Sequence, residues 1–221
     1  MKVLHSPVNL AYTRNLALEQ KGNKMTNRNA DISRKTNETN IELSLNIDGR
    51  GSENIETGVG FFNHMLSAFA RHGLFDLMLH AEGDLYVDAH HTVEDCGIVL
   101  GQAFAKALGS KRGINRFASN VIAMDEALVL ASIDISGRGA LYFDANLPQG
   151  KAGEFDFCLA KEFFIAFAAN SGTTLHIRQI AGENAHHIIE CMFKAVGRTM
   201  RTACEVDVRA QDSLPSTKGV L

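Results

Sequence analysis

Two short segments carry most of the chemistry legible in this chain. They read Asp-Ala-His-His-Thr-Val-Glu at 88–94 and Asn-Ala-His-His-Ile-Ile-Glu at 184–190. Residues four apart on a helix share a face, so His90 can grip one metal ion with Glu94, and His186 with Glu190. The middle histidines, His91 and His187, are rotated by about 100° at 3.6 residues per turn and reach toward a different ion. Four imidazoles and two carboxylates suffice for the core of a dinuclear site. Nitrogen and oxygen ligands without thiolate suit Mn, Fe, Zn or Co rather than Ca or Cu(I). The His-Glu-x-x-His spacing of zinc proteases does not occur.

A single His-His on an amphipathic helix is ordinarily a surface or capping feature. The second copy changes that reading. Residues 88–107 lie over 184–203 at a constant offset of 96, with Gly101 over Gly197, Ala107 over Ala203 and, further back, His80 over His176. Phe61–Arg71 corresponds to Phe155–Ala169 with a small gap. The chain therefore reads as two homologous halves, 28–112 and 113–205, between a flexible polar leader at 1–27 and a tail at 206–221.

The elements that must hold these residues follow from periodicity. Ile41, Leu43, Leu45 and Ile47 alternate with polar residues as a half-buried strand. Phe61–Arg71 reads as a helix with Phe62, Met65, Leu66 and Phe69 on one face, followed by a strand at Leu74–Ala81. His90–Leu108 reads as a second helix, with Gly109 as its C-terminal cap. Strands are expected at Val121–Ala123, Ala127–Ile135 and Ala140–Phe143. Helix, strand and helix then return at Phe155–Ala169, Thr174–Ile180 and His186–Ala203. Mixed elements without strict βαβ alternation favour α+β.

Composition narrows the function classes. Of 221 residues, 45% are apolar and 21% charged, as in ordinary globular chains. Lys+Arg 22 against Asp+Glu 25 leaves no basic field for nucleic acid. No apolar run approaches the roughly 20 residues of a membrane helix. Cys96, Cys158, Cys191 and Cys204 show no CxxC spacing, and no apolar h-region opens the chain, which points to reduced thiols in a cytoplasmic protein. Neither GxxxxGK[ST] nor GxGxxG is present, which disfavours nucleotides.

Other residues compete for a site. His64 reads equally as a core histidine or a ligand, and its counterpart in the second half falls near Glu162. His72, before Gly73, suits a helix C-terminus. His80 and His176 alternate with apolar strand residues and read as structural. Arg116, Arg138, Lys194 and Ser216-Thr217-Lys218-Gly219 combine cations, hydroxyls and backbone N–H groups suited to a phosphate.

Six motifs in order resemble the imidazoleglycerol-phosphate dehydratase family. They are Arg-Lys-Thr-Asn-Glu-Thr (34–39), Gly-Phe-Phe-Asn-His-Met-Leu (60–66), Asp-Ala-His-His-Thr-Val-Glu-Asp (88–95), Ser-Gly-Arg-Gly (136–139), Gly-Glu-Asn-Ala-His-His-Ile-Ile-Glu (182–190) and Pro-Ser-Thr-Lys-Gly-Val-Leu (215–221). The resemblance runs from about Arg28 to Leu221. It implies a duplicated α+β fold of two sheet-plus-two-helix halves packed with helices inside (ribosomal protein S5 domain 2-like). It also implies a homo-oligomer, a 24-mer built from trimers, with active sites between subunits. The implied cofactor is two Mn²⁺ per active site, one held by His64, His91, His186 and Glu190 and the other by His90, Glu94, His187 and the residue at 162. Several members carry histidine there. Glu162 departs from that pattern, though a carboxylate still suits manganese.

The implied reaction converts imidazole-glycerol phosphate to imidazole-acetol phosphate in histidine biosynthesis. The metal ligands would also hold the substrate's ring, and Glu38, His72, Arg116, Arg138, Lys194, Ser216, Thr217 and Lys218 match substrate-contacting positions. Glu38 or His72 would remove the proton, and a metal-bound group or Glu190 would assist loss of the hydroxyl. A dinuclear metallohydrolase, a non-enzymatic metal-binding protein and a structural duplicate with surface histidines are the competing readings.

Overall fold

The computed structural model describes residues 28–211 and 213–221. The leader expected at 1–27 lies outside the described residues. The first half comprises β1 (Asn29–Lys35), β2 (Thr39–Asn46), β3 (Glu53–Glu56), α1 (Gly60–Gly73), β4 (Asp76–Gly83) and α2 (His90–Leu108). The second repeats the order as β5 (Phe117–Met124), β6 (Ala127–Asp134), β7 (Ala140–Asp144), α3 (Leu159–Ser171), β10 (Thr174–Ala181) and α4 (Ala185–Cys204), with a short hairpin β8 (Lys151–Ala152) and β9 (Phe155–Asp156) before α3.

The two main sheets have one topology, β1-β2-β4-β3 and β5-β6-β10-β7. In each, the last strand runs parallel to its neighbour and the other pairs are antiparallel. The expected duplication is thus a repeat of pairing, not only of sequence. Ile41, Leu43 and Leu45 of β2 and Val129, Ala131 and Ile133 of β6 are buried on the inner faces, as period-two alternation demands.

The helices lie inside and cross between halves: α2 packs on α3, and α1 on α4. Glycines permit both crossings. A Cβ on Gly97 would sit 2.7 Å from the Phe163 carbonyl oxygen and one on Gly101 2.7 Å from that of Phe167; one on Gly197 would meet the Phe69 oxygen at 2.5 Å. Contacts that advance together along both chains mean that each pair runs parallel, so the helix N-termini lie side by side. Phenylalanines fill the rest, with Phe163 stacked on Phe193 at 5.0 Å and Phe69 edge-on to Phe104 at 6.0 Å.

Three features differ from the sequence reading or add to it. Phe155 does not begin a helix; it pairs in β9 and is fully buried against Phe61 and Phe62, so its apolar side chain serves an aromatic cluster rather than a helical stripe. β1, which the sequence pattern did not single out, is an edge strand carrying Asp31, Arg34 and Lys35; its exposure alternates, but only Ala30 is buried. The third concerns register. α1 and α3 both end on a left-handed residue, Leu74 (φ 55°) and Gly172 (φ 67°). Aligned there, His64 stands over Glu162, while His80 stands over Arg178 rather than His176, because the connection into α4 is two residues shorter.

The four thiols are free, with Cys96, Cys191 and Cys204 buried and Cys158 exposed. Burial pushes Cys204 up to about 12, far from a nucleophile. Among the described residues, no helix is long and apolar enough to cross a membrane.

Candidate metal centre

The parallel packing of α1 on α4 brings His64 beside Glu190. A side-chain cap from Asn184 sets the start of α4, whereas α1 has no side-chain cap and Asn63 in its first turn instead reaches back to the preceding loop. The Thr57 N–H donates to Asn63 Oδ1 at 3.0 Å, next to His64, and the His186 N–H donates to Asn184 Oδ1 at 3.0 Å. His64 Nε2 and His186 Nε2 each lie 3.3 Å from Glu190 Oε2. One ligand atom from each of these three residues lies within 4.8 Å of the others. Phe61 presents an edge contact to the His186 ring at 5.0 Å.

Glu190 is buried, with a side chain 9% exposed. Burial by itself raises its pKa, but Lys194 Nζ, 2.7 Å from Oε1, and the neighbouring His64 outweigh that and hold it below the usual carboxylate value. The site therefore offers a charged carboxylate and two imidazoles in a convergent arrangement. That donor set fits a divalent cation of the Mn, Fe or Zn kind.

The second motif is more open. His90 Nε2 lies 3.7 Å from Glu94 Oε2, and the Glu94 side chain is 47% exposed. Glu162, in the first turn of α3, occupies the place that His64 holds in the other pair. It does not converge with His90 and Glu94; among the described residues only His64, His186 and Glu190 form a group of three.

His91 and His187 turn away from their neighbours, as the helical rotation predicts. His91 Nδ1 lies 3.1 Å from Asp84 Oδ2, and its Nε2 is 3.8 Å from Glu38 Oε1. His187 Nδ1 lies 2.8 Å from Glu126 Oε2, and its Nε2 is 3.8 Å from Asp125 Oδ2. The bonds to Asp84 and Glu126 raise both imidazole pKa values. Sequence reasoning passed over Asp84, Asp125 and Glu126. Their signal was acidic residues in turns beside strands, Gly-Asp at 83–84 and Asp-Glu at 125–126, a composition shared with ordinary turns. Glu38 is presented by a turn in which Thr36 Oγ1 accepts from the N–H groups of Glu38 and Thr39.

A cavity of about 520 Å³ opens beside the cluster, lined by His64, Arg71, His72, Glu190 and Lys194 among others. His72 is held below its usual pKa by burial, Lys194 and Arg198. Another cavity, of about 450 Å³, lies on the outer face of the first sheet beside Met78 and His80, away from the cluster; His80 there faces Glu56 and Glu82, and His176 stacks on Tyr142.

The remaining basic candidates gather elsewhere. Arg116 is paired with Asp134 at 2.7 Å and donates to the Pro215 carbonyl at 2.6 Å. Gly137, in the turn that carries Arg138, lies beside the Leu221 terminus, and the Lys218 N–H donates to Ser216 Oγ at 3.2 Å in the tail. The Arg116 N–H donates to the Ala203 carbonyl, so this group lies at the far end of α4, about 25 Å from His186 at 1.5 Å per residue. Lys194 is the exception; it belongs to the cluster.

A duplicated α+β chain whose inner helices gather imidazoles and a buried carboxylate defines a class, that of enzymes equipped to ligate a metal. The family model described as imidazoleglycerol-phosphate dehydratase matches residues 57–200. The chain belongs to the imidazoleglycerol-phosphate dehydratase family, which are lyases. It is 57% identical over 194 residues to a relative so named from Acetivibrio thermocellus, covering 88% of this chain and 99% of the relative. A relative of the same name from Caldicellulosiruptor bescii is 53% identical over 197 residues, covering 89% of this chain and all of the relative. The solved structure of the enzyme from Pyrococcus furiosus superposes with a TM-score of 0.74 at 38% identity, covering 86% of this chain and all of that one.

Proposed function

We propose that this chain dehydrates D-erythro-imidazole-glycerol phosphate to imidazole-acetol phosphate, in histidine biosynthesis in the cytoplasm, using two Mn²⁺ ions per active site. The convergence of His64, His186 and Glu190 beside a cavity carries the proposal. It supplies three of the four ligands assigned to one ion, with His91 the fourth. His90, Glu94, His187 and Glu162 are the set assigned to the other. Held by these residues, the metal ions would supply Lewis-acid chemistry to the substrate's imidazole.

Within one chain these sets stay incomplete, and the anion-binding group of Arg116, Arg138, Ser216, Thr217 and Lys218 lies about 25 Å away along α4. A site shared between copies in a homo-oligomer, a 24-mer of trimers, reconciles these positions. It lets the tail 206–221 of one copy serve the cluster of another.

The residues divide the work. His72, whose imidazole stays unprotonated at neutral pH because burial, Lys194 and Arg198 disfavour its cation, is a competent base for the C–H proton. Glu38 is the other candidate. Glu190, held as a carboxylate by Lys194, keeps His64 and His186 oriented and assists loss of the hydroxyl. The test is dehydration of imidazole-glycerol phosphate by protein stripped with a chelator and then reloaded. Activity that is lost on stripping and returns with Mn²⁺ supports the proposal; full activity in the stripped enzyme refutes the metal role.

A further inference from the structure

The two histidines of each pair are held in opposite ways. His90 and His186 turn Nε2 toward the glutamate four residues on, at 3.7 and 3.3 Å. His91 and His187 instead give Nδ1 to a carboxylate from outside their helix, leaving Nε2 as the outward nitrogen. These carboxylates come from different places in the two halves. Asp84 follows β4, and its N–H donates to the Glu38 carbonyl at 3.0 Å. Glu126 sits in the turn between β5 and β6, on the opposite side of its sheet order.

An imidazole whose Nδ1 donates a hydrogen to a carboxylate keeps a lone pair on Nε2 and a fixed ring plane. We propose that Asp84 and Glu126 are positioning residues, which lock His91 and His187 in the Nδ1–H tautomer so that each offers Nε2 to a metal ion. The proposal rests on the metal reading above.

The anchoring of the two carboxylates differs, and that difference makes the proposal sharp. Glu126 Oε1 accepts from the N–H groups of Asn184 at 2.9 Å and Glu183 at 3.4 Å, while Oε2 faces His187. In Glu126→Gln these two backbone donors would keep the amide oxygen in place. The NH₂ would then point at His187 Nδ1, forcing the hydrogen onto Nε2 and blocking it as a ligand. Among the described residues no backbone donor locks the rotation of Asp84: Oδ1 and Oδ2 lie 3.2 and 3.1 Å from His91 Nδ1. In Asp84→Asn the amide can turn its oxygen to the ring and preserve the tautomer.

The experiment is titration of the chelator-stripped, full-length protein with Mn²⁺, following the free ion by electron paramagnetic resonance, with circular dichroism as a check of folding. Glu126→Gln is expected to weaken binding about ten-fold or more, in the range found when such orienting partners are removed. Asp84→Asn should lose no more than about two- to three-fold, and Asp84→Ala about ten-fold. A merely structural role predicts lowered melting temperature with unchanged Mn²⁺ affinity, and that result in Glu126→Gln overturns the proposal, as does equal loss in Asp84→Asn and Asp84→Ala. His91→Ala and His187→Ala separate the two levels of inference. If they bind Mn²⁺ as tightly as the parent, the metal reading of these histidines is itself wrong and the positioning role falls with it.

Discussion

The two His-His-x-x-Glu motifs are nearly the same in sequence and differ in their surroundings. In α4, Glu190 is buried and meets His64 from the parallel helix α1, with Lys194 behind it. In α2, Glu94 is half exposed, and the place of His64 is taken by Glu162 on α3. Helix geometry supplies the i, i+4 pair in both. The third ligand comes from a neighbouring helix, and there the halves have diverged. Duplication has therefore preserved the scaffold more strictly than the donor set.

The largest effect should come from the closed cluster. Glu190→Gln leaves two histidines and a half-buried Lys194 without their carboxylate, and Mn²⁺ affinity should fall by about 100-fold or more, above the range for indirect partners. Glu94→Gln should cost about ten-fold less. Isothermal titration of the two variants decides this, and equal losses would erase the distinction between the motifs.

The crossing glycines should be where the halves still behave alike. Gly197→Ala places a methyl 2.5 Å from the Phe69 oxygen, and Gly101→Ala one 2.7 Å from the Phe167 oxygen. Each should destabilise by about 1–3 kcal/mol despite alanine's better helix propensity. Urea denaturation measures both, and a gain in stability in either would show that the helices can separate at no cost.

Glu162→His would give the second half the residue that the first has at the matching place. Imidazole is a softer donor than carboxylate, so competition between Zn²⁺ and Mn²⁺ should shift a few-fold toward zinc. An unchanged ratio would remove Glu162 from the ligand set.

The smallest effect concerns His72. Its folded pKa lies below the unfolded value of 6.5, so the unfolded chain binds the proton more readily. Stability should fall as pH drops through about 6.5 toward the folded pKa. In metal-free protein, denaturation curves of His72→Gln should show a shallower decline than the parent between about pH 7.5 and 5. Parallel curves would place the titration elsewhere.

Much of the site was legible because it is helical and local. His90 with Glu94, and His186 with Glu190, are fixed by spacing, and the offset of 96 places Gly101 over Gly197 at matching helix crossings. Less legible were partners contributed by turns. Asp84 and Glu126 meet their histidines only because a strand end or a hairpin turn folds beside a helix N-terminus, and no periodicity announces that. β1 was hidden because an edge strand buries little: its exposure alternates, but only Ala30 is buried, and its charged residues mask the pattern. Phe155 misled because an apolar residue looks the same in a strand as in a helix.

By itself the sequence determined the duplication, the α+β order and the pairing of histidine with glutamate along each helix, since these follow from near-neighbour geometry and repeat. Tertiary structure alone decided that α1 lies parallel to α4, and hence that His64 joins His186 and Glu190 while Glu162 stays apart from His90 and Glu94. The reason is physical. Ligands on different elements converge only through packing, and here packing depends on where a glycine lets two helix backbones touch.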